Sequence, residues 1–260
     1  MKCRICGSEE LSLFYKQGSN DQFEFYKCGN CKLVNLDLEN ISITDNQQKY
    51  TTDYQPPKNY NLEKKALKTF RFANKYVPVK GDFMDIGCGF GSVLYFFKNN
   101  GWNVRGLELS NELASHVKQT LDIPVDVSDF LVYDSKQQFD LVSLRHVLEH
   151  IPDSNLALNK ISGLLKPHGY ILFEFPNISG LTHKILRLRN RIRWLKKEYK
   201  SSYVPGHCNE FSRSSFEYLL KKNSFKIIRW ETYSAKPLSN FIYNHIHSGS
   251  KARVIVQKVD

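Results

Sequence analysis

A chain of 260 residues that is 41% hydrophobic can bury one domain of ordinary size plus a small accessory module, which excludes a solvated, unfolded chain. No window approaches the roughly 18 uninterrupted apolar residues of a membrane-spanning helix, and the opening Met1-Lys2-Cys3-Arg4 lacks an apolar leader, so a cytoplasmic location is expected. Against 26 Asp and Glu stand 37 Lys and Arg, and the net charge of +11 favours anionic partners: nucleic acid, a phosphorylated or nucleotide-linked small molecule, or an anionic membrane surface touched peripherally.

Residues 1–40 carry two CxxC knuckles, Cys3/Cys6 and Cys28/Cys31, with 21 residues between them. Each knuckle puts two sulfurs on one side of a tight turn, and four thiolates close a tetrahedral shell with no open position, the pattern of structural zinc. Six cysteines without an export signal also argue against a disulfide framework. Leu11 to Tyr15 and Phe23 to Tyr26 read as short strands around a polar turn at Gly18-Ser19-Asn20-Asp21. The module resembles a zinc ribbon; its role stays open between a partner contact and a cap on the larger domain.

A polar linker over 41–60, broken by Pro56-Pro57, leads into a domain over 61–260. Apolar spacing through Leu62, Ala66, Leu67, Phe70, Ala73 and Tyr76 predicts a helix that ends before Pro78. Strands follow at Phe83 to Ile86, Asn103 to Leu109, Pro124 to Val127, Phe139 to Leu144 and Tyr170 to Phe175, with helices at Ser92 to Asn99, Asn111 to Gln119 and Leu156 to Leu165. Such alternation predicts an α/β, Rossmann-like parallel sheet of seven strands with helices on both faces. Helix Ser214 to Lys222 and strands Phe225 to Glu231 and Arg253 to Lys258 complete it, the last pair compatible with an antiparallel edge.

The first strand runs into Asp85-Ile86-Gly87-Cys88-Gly89-Phe90-Gly91, an acid followed by a glycine-rich turn and a helix, where bare backbone lets a nucleotide approach. The spacing is GxGxG, unlike the GxGxxG of dinucleotide sites, so it gives less sign of a pyrophosphate seat. Glu108 closes the second strand 23 residues after Asp85, where its carboxylate can accept from two ribose hydroxyls. Asp129-Phe130, after the third strand, offers one hydrogen bond and one ring face for adenine.

Together with Val147-Leu148-Glu149-His150-Ile151, these residues resemble class I S-adenosylmethionine-dependent methyltransferases. The resemblance implies that Asp85, Gly87, Cys88, Gly89 and Gly91 hold the methionine end of S-adenosyl-L-methionine, Glu108 with Leu109 the ribose, and Asp129 with Phe130 the adenine. Arg145 and His146, after the fourth strand, would then face the sulfonium and the acceptor. A ribbon followed by this domain is also similar to methyltransferases of bacterial sugar and surface-polysaccharide pathways, which implies a sugar, sugar-phosphate or nucleotide-sugar acceptor methylated on oxygen.

Methyl transfer to a hydroxyl needs alignment and a base. His146 and His207 are candidate bases, because imidazole titrates near neutrality. His146, Glu149 and His150 would share one face if helical and could hold a second divalent ion with His207. Ubiquinone-pathway O-methyltransferases and small-RNA 2′-O-methyltransferases carry a similar ExxEH segment that ligates such an ion, although His146 stands where they have glutamate. HxxEH also matches a zinc-peptidase pattern, which the glycine loop and Glu108 rule out. Glu149 and His150 acting only as structural groups is the third reading.

Near 181–204 a basic insertion carries Ile185, Leu188, Ile192, Leu195 and Tyr199 as one apolar stripe among cations. A lid, a clamp for anionic acceptors, and a membrane or nucleic-acid contact all fit it. Two other functions stay in view beside the sugar O-methyltransferase: a ribose 2′-O-methyltransferase of RNA, and a binding protein that keeps the fold without activity.

Overall fold

Three short strands, Leu11–Gln17 (β1), Phe23–Cys28 (β2) and Val34–Leu36 (β3), open the computed structural model, which describes residues 1–39, 41, 63–78, 80–190, 199–200, 203–234 and 247–259. There follow Glu63–Tyr76 (α1), Asp82–Ile86 (β4), Ser92–Lys98 (α2), Asn103–Glu108 (β5), Asn111–Leu121 (α3), Val125–Val127 (β6) and Phe139–Arg145 (β7). Ser154–Leu164 (α4), Leu165–Pro176 (β8), Leu181–Asn190 (α5), Asn209–Glu210 (β9), Arg213–Lys222 (α6), Phe225–Tyr233 (β10) and Lys251–Lys258 (β11) complete the described elements. The expected linker, apart from Ile41, and the stripe residues Ile192 and Leu195 lie outside the described residues.

The seven-stranded sheet has the order β10-β11-β8-β7-β4-β5-β6, and β11 alone runs against its neighbours. The Rossmann-like α/β sheet read from the alternation of elements is therefore present, with the expected antiparallel edge. Because β4 is central and covered on both faces, Phe83, Met84, Asp85 and Ile86 are all buried. On one face, Phe83 stacks on Phe97 with ring centroids 4.0 Å apart, and Phe70 and Trp102 close around them. On the other, Phe175, Phe211, Phe216 and Trp230 form a second aromatic group. Such rings add to the aliphatic burial that offsets the entropy of ordering these elements.

Helix starts are set by side chains that satisfy orphan backbone donors. Leu113 N donates to Ser110 Oγ at 3.2 Å ahead of α3, and Leu156 N to Asp153 Oδ1 at 2.9 Å ahead of α4. Ser212 and Ser215 cap α6 reciprocally. These caps place helix entries at the carboxyl edge of the parallel strands, where a doubly wound sheet binds ligands.

The amino-terminal strands do not stand apart. They form a four-stranded sheet in the order β1-β2-β3-β9, and β9 belongs to the segment that leads into α6. Arg4, between the first two cysteines, donates from Nε to Asn209 Oδ1 at 2.9 Å, from Nη1 to Leu36 O at 2.8 Å and from Nη2 to Cys208 O. Lys222 Nζ and Asn155 Nδ2 both donate to Ile5 O, at 2.7 and 3.2 Å. Cys3, Ile5, Cys28, Cys31 and Leu33 share one continuous core with Ile151, Phe211 and Leu219. The module is an extension of the large core, with β9 as the seam.

Candidate active site

The glycine loop leaves β4 with Gly87 and Gly91 both left-handed, at φ 68°. A Cβ on Gly87 would meet Val147 Cγ2 at 2.6 Å, and one on Gly91 would meet Val117 and Leu121 at 2.9 Å. The loop can therefore turn between β4 and α2 only as glycine. Gly87 N and Cys88 N donate to Leu107 O at 2.8 and 3.1 Å, and Gly89 N donates to Glu108 Oε2 at 2.8 Å. Glu108 Oε1 accepts from Leu109 N and Ser110 N at 2.9 and 3.2 Å. The carboxylate thus pins two loops, and Oε2 keeps a lone pair for a further donor.

Beneath the loop, Asp85 is fully buried; Ser143 Oγ donates to its Oδ1, while Oδ2 has no hydrogen-bond partner among the described residues and lies 3.8 Å from Arg145 Nη1. Burial pushes its carboxyl up to about 6, against the charge of Arg145. Arg145 Nε in turn lies 3.3 Å from Glu174 Oε2, and Arg253 and Thr69 both reach Glu174 Oε1. Burial alone would raise Glu174, but Arg253 and Arg145 hold it down to about 2.

A cavity of about 240 Å³ opens at this sheet edge. Its walls bring together Gly87, Glu108, Leu109, Asp129, Phe130, Arg145, His146 and His150. Asp85 and Cys88 are not in the wall: Asp85 lies under the loop, and the buried Cys88 thiol packs against Gly106, its pKa raised by that burial. Gly89, Gly91, Glu149 and His207 also lie outside this wall. Asp129 Oδ1 accepts from Leu131 N at 2.7 Å, a local turn that presents Phe130 to the cavity.

His146, Glu149 and His150 do not share an α-helix, which corrects the helical spacing argument. His146 leaves β7 with φ 58°, its N–H donating to Glu174 O at 2.7 Å, and only Leu148–His150 form a single 3₁₀ turn. The left-handed residue turns the chain back so that His146 Nδ1 still sits 3.2 Å from Glu149 Oε1. On the other side of the ring, Lys251 Nζ lies 3.3 Å from His146 Nε2. An ammonium can only donate, so Nε2 is the acceptor and Nδ1–H donates to Glu149. Lys251 comes from β11, 105 residues away, and no spacing in the sequence points to it.

His150 Nδ1 donates to Gly206 O at 2.7 Å, which puts the ring's lone pair on Nε2. Its ring lies edge-on to His207 with centroids 4.9 Å apart. Glu149 is 1% exposed, and its Oε2 has no hydrogen-bond partner among the described residues. Burial alone would raise Glu149, yet the His146 hydrogen bond and the neighbouring imidazoles keep it below the ordinary carboxylate range. Burial pushes His207 down to about 4, against the pull of Glu149. Ligand atoms of Glu149, His150 and His207 lie within 4.8 Å of one another, a donor set of one carboxylate and two imidazoles that suits a divalent ion.

The four amino-terminal cysteines make a second set, their sulfurs also within 4.8 Å of one another. Cys3 and Cys31 Sγ are 3.4 Å apart, and Cys6 and Cys28 Sγ 3.5 Å. A tetrahedron with bonds of about 2.3 Å has edges of about 3.8 Å, so the sulfurs fit zinc.

The chain belongs to the methyltransferase domain family, whose model matches residues 59–229. It is similar to a ubiquinone biosynthesis O-methyltransferase of Coxiella burnetii (strain Dugway 5J108-111), 27% identical over 114 residues that cover 41% of this chain and 49% of that one. It spans about half the length of that curated relative. Its likeness to the protein of the same name in Chromobacterium violaceum is 23% over 183 residues, covering 67% of this chain and 74% of the other. Among solved structures, magnesium protoporphyrin IX methyltransferase of Synechocystis PCC 6803 with bound SAH superposes with a TM-score of 0.58 at 14% identity, over 83% of this chain and 99% of that one. At that identity the likeness is one of fold. Among the described residues no helix is long and apolar enough to cross a membrane.

Proposed function

We propose that the protein transfers the methyl group of S-adenosyl-L-methionine to a hydroxyl of a small sugar, sugar phosphate or nucleotide sugar. The observation that carries this reading is the 240 Å³ cavity whose wall brings Glu108, Asp129 and Phe130 together with His146, which Glu149 holds from behind. In it, Gly87 backs the methionine end, Glu108 Oε2 accepts from the ribose, and Asp129 with Phe130 brackets the adenine. Asp85 and Cys88 hold the loop from below, and Arg145 fixes Asp85.

His146 is the base of choice, since it lines the cavity and His207 does not. The acceptor oxygen forms its bond to the methyl carbon as the carbon–sulfur bond breaks, leaving S-adenosylhomocysteine and a methyl ether. The proton passes to His146 Nε2 after Lys251 swings aside, and Glu149 stabilises the imidazolium through Nδ1–H. Glu149, His150 and His207 would hold a divalent ion, which supplies positive charge beside the acceptor oxygen when bound. Cys3, Cys6, Cys28 and Cys31 would hold structural zinc.

Titration calorimetry with S-adenosylmethionine tests the donor, and absence of binding defeats the reading. Transfer of tritiated methyl to nucleotide sugars rather than to total RNA tests the acceptor; label in RNA alone would replace the sugar with ribose 2′-hydroxyls.

A further inference from the structure

A second cavity, about 340 Å³, lies between the amino-terminal sheet and α5. Tyr15, Gln17 and Phe25 of β1 and β2 form one wall, Arg187 of α5 another, and Tyr203 and Glu210 close it. Its polar groups are held in place: Tyr203 Oη donates to Gln17 Oε1 at 2.7 Å, and Arg187 Nη1 donates to Ile178 O at 3.0 Å while its guanidinium covers the Phe14 ring. Tyr15 stacks on Phe25 with centroids 4.4 Å apart and planes 14° from parallel. Against this ordered frame one atom is orphaned: Glu210 Oε2 is buried and has no hydrogen-bond partner among the described residues. Nothing in the donor chemistry of the first cavity uses these groups.

The two cavities share a wall. Gly206 lines both, and the contact between them is the edge-on pair of His150, which lines the first, and His207, which lines the second. A ring seated in the second cavity would therefore present its substituents across the histidine pair toward His146. Aromatic faces mixed with a buried carboxyl, an amide and a guanidinium suit a saturated ring with several hydroxyls, whose C–H faces pack on the rings while its hydroxyls hydrogen-bond. A long hydrocarbon chain would leave Glu210 Oε2 without a partner.

We propose that this second cavity is the acceptor site, seating a polyhydroxylated ring whose hydroxyl bonds Glu210 Oε2, so that the amino-terminal sheet is a selectivity element for methyl transfer. The proposal rests on the methyltransferase reading of the first cavity, and it assigns the cysteine module a contact with acceptor that structural capping does not require. Burial pushes the Glu210 carboxyl up to about 7, against the Tyr15 hydrogen bond and the Arg187 charge, and its Oε2 is the one carboxylate oxygen there with no hydrogen-bond partner among the described residues.

The test is saturation-transfer NMR on the full chain loaded with S-adenosylhomocysteine, using UDP-glucose, glucose 1-phosphate and catechol as probes. At least one sugar probe is expected to bind the wild type. Glu210→Leu, which removes the carboxyl at similar volume, and Leu186→Trp, which fills the cavity from a half-exposed position, should each weaken that binding about tenfold or more. Both should leave S-adenosylhomocysteine affinity within about twofold of wild type, which also reports that they fold. Sugar binding unchanged in both variants, binding of catechol alone, or binding of no probe overturns the proposal. Failure of the wild type to bind S-adenosylhomocysteine is a separate result, and it removes the donor reading instead.

Discussion

Glu149 grips His146 from one side of the ring, Oε1 to Nδ1 at 3.2 Å, although the two residues belong to different local structures, a left-handed strand exit and a 3₁₀ turn. The pair fixes the tautomer that leaves Nε2 as the accepting nitrogen. Replacing His146 by Ala should lower turnover about 10²-fold or more, and Glu149→Gln, which keeps the shape and removes the charge, about tenfold or more. Both should leave calorimetric affinity for S-adenosylmethionine unchanged. Turnover that survives His146→Ala would move the base to another group.

Glu108 accepts three backbone donors across two loops and keeps one acceptor direction toward the cavity. Glu108→Ala should therefore weaken S-adenosylmethionine binding by about 10- to 100-fold, the range for a lost hydrogen bond to a charged group. Calorimetry reads this directly, and an unchanged affinity would assign the carboxylate to loop structure alone.

Elemental analysis of chelator-free protein should give one zinc per chain held by the cysteine set, and Cys31→Ser should abolish it. Because Cys3, Cys28 and Cys31 share the large core with Phe211 and Leu219, metal loss should lower the melting temperature of the whole chain in one transition. A separate early transition with the main one unmoved would contradict that coupling.

Glu210 holds its proton to about 7 in the folded chain, against an ordinary value of 4.5. It therefore binds protons more tightly folded than unfolded, favours the fold at low pH, and loses that contribution as pH rises from about 4.5 through 7, on the order of 3 kcal/mol. Glu174, held to about 2 by Arg253 and Arg145 despite burial, acts with the opposite sign: its contribution is present above 4.5 and lost as pH falls toward 2. Denaturant titrations at pH 5 and 7.5 should show a smaller loss of stability in Glu210→Gln than in wild type. Equal losses would exclude Glu210 as the source.

The alternation of apolar runs, the glycine loop and the acids at strand ends made the seven-stranded sheet readable, and the gathering of Gly87, Glu108, Asp129 and Phe130 at one cavity with it, because period and spacing are local. β3 and β9 escaped for the opposite reason: Val34–Leu36 and Asn209–Glu210 are too short to show a period, and they pair with residues distant in sequence. The same distance hides Lys251 behind His146 and Tyr15 beside Glu210. The helical face assumed for His146, Glu149 and His150 failed at one residue, since a positive φ at His146 leaves no mark in a sequence without glycine there.

Residues 206–210 work as a splint. Gly206 O takes the His150 ring, Cys208 N and O tie to Glu149 O and Leu36 N at 3.0 Å each, Asn209 enters the β3 pairing, and Glu210 faces the second cavity. A chimaera that transplants residues 1–39 from a relative would have to carry its own version of this pentapeptide, because the graft and the histidine pair are spliced to the same five residues. On the proposed reading, acceptor range and metal module would then be inherited as one cassette.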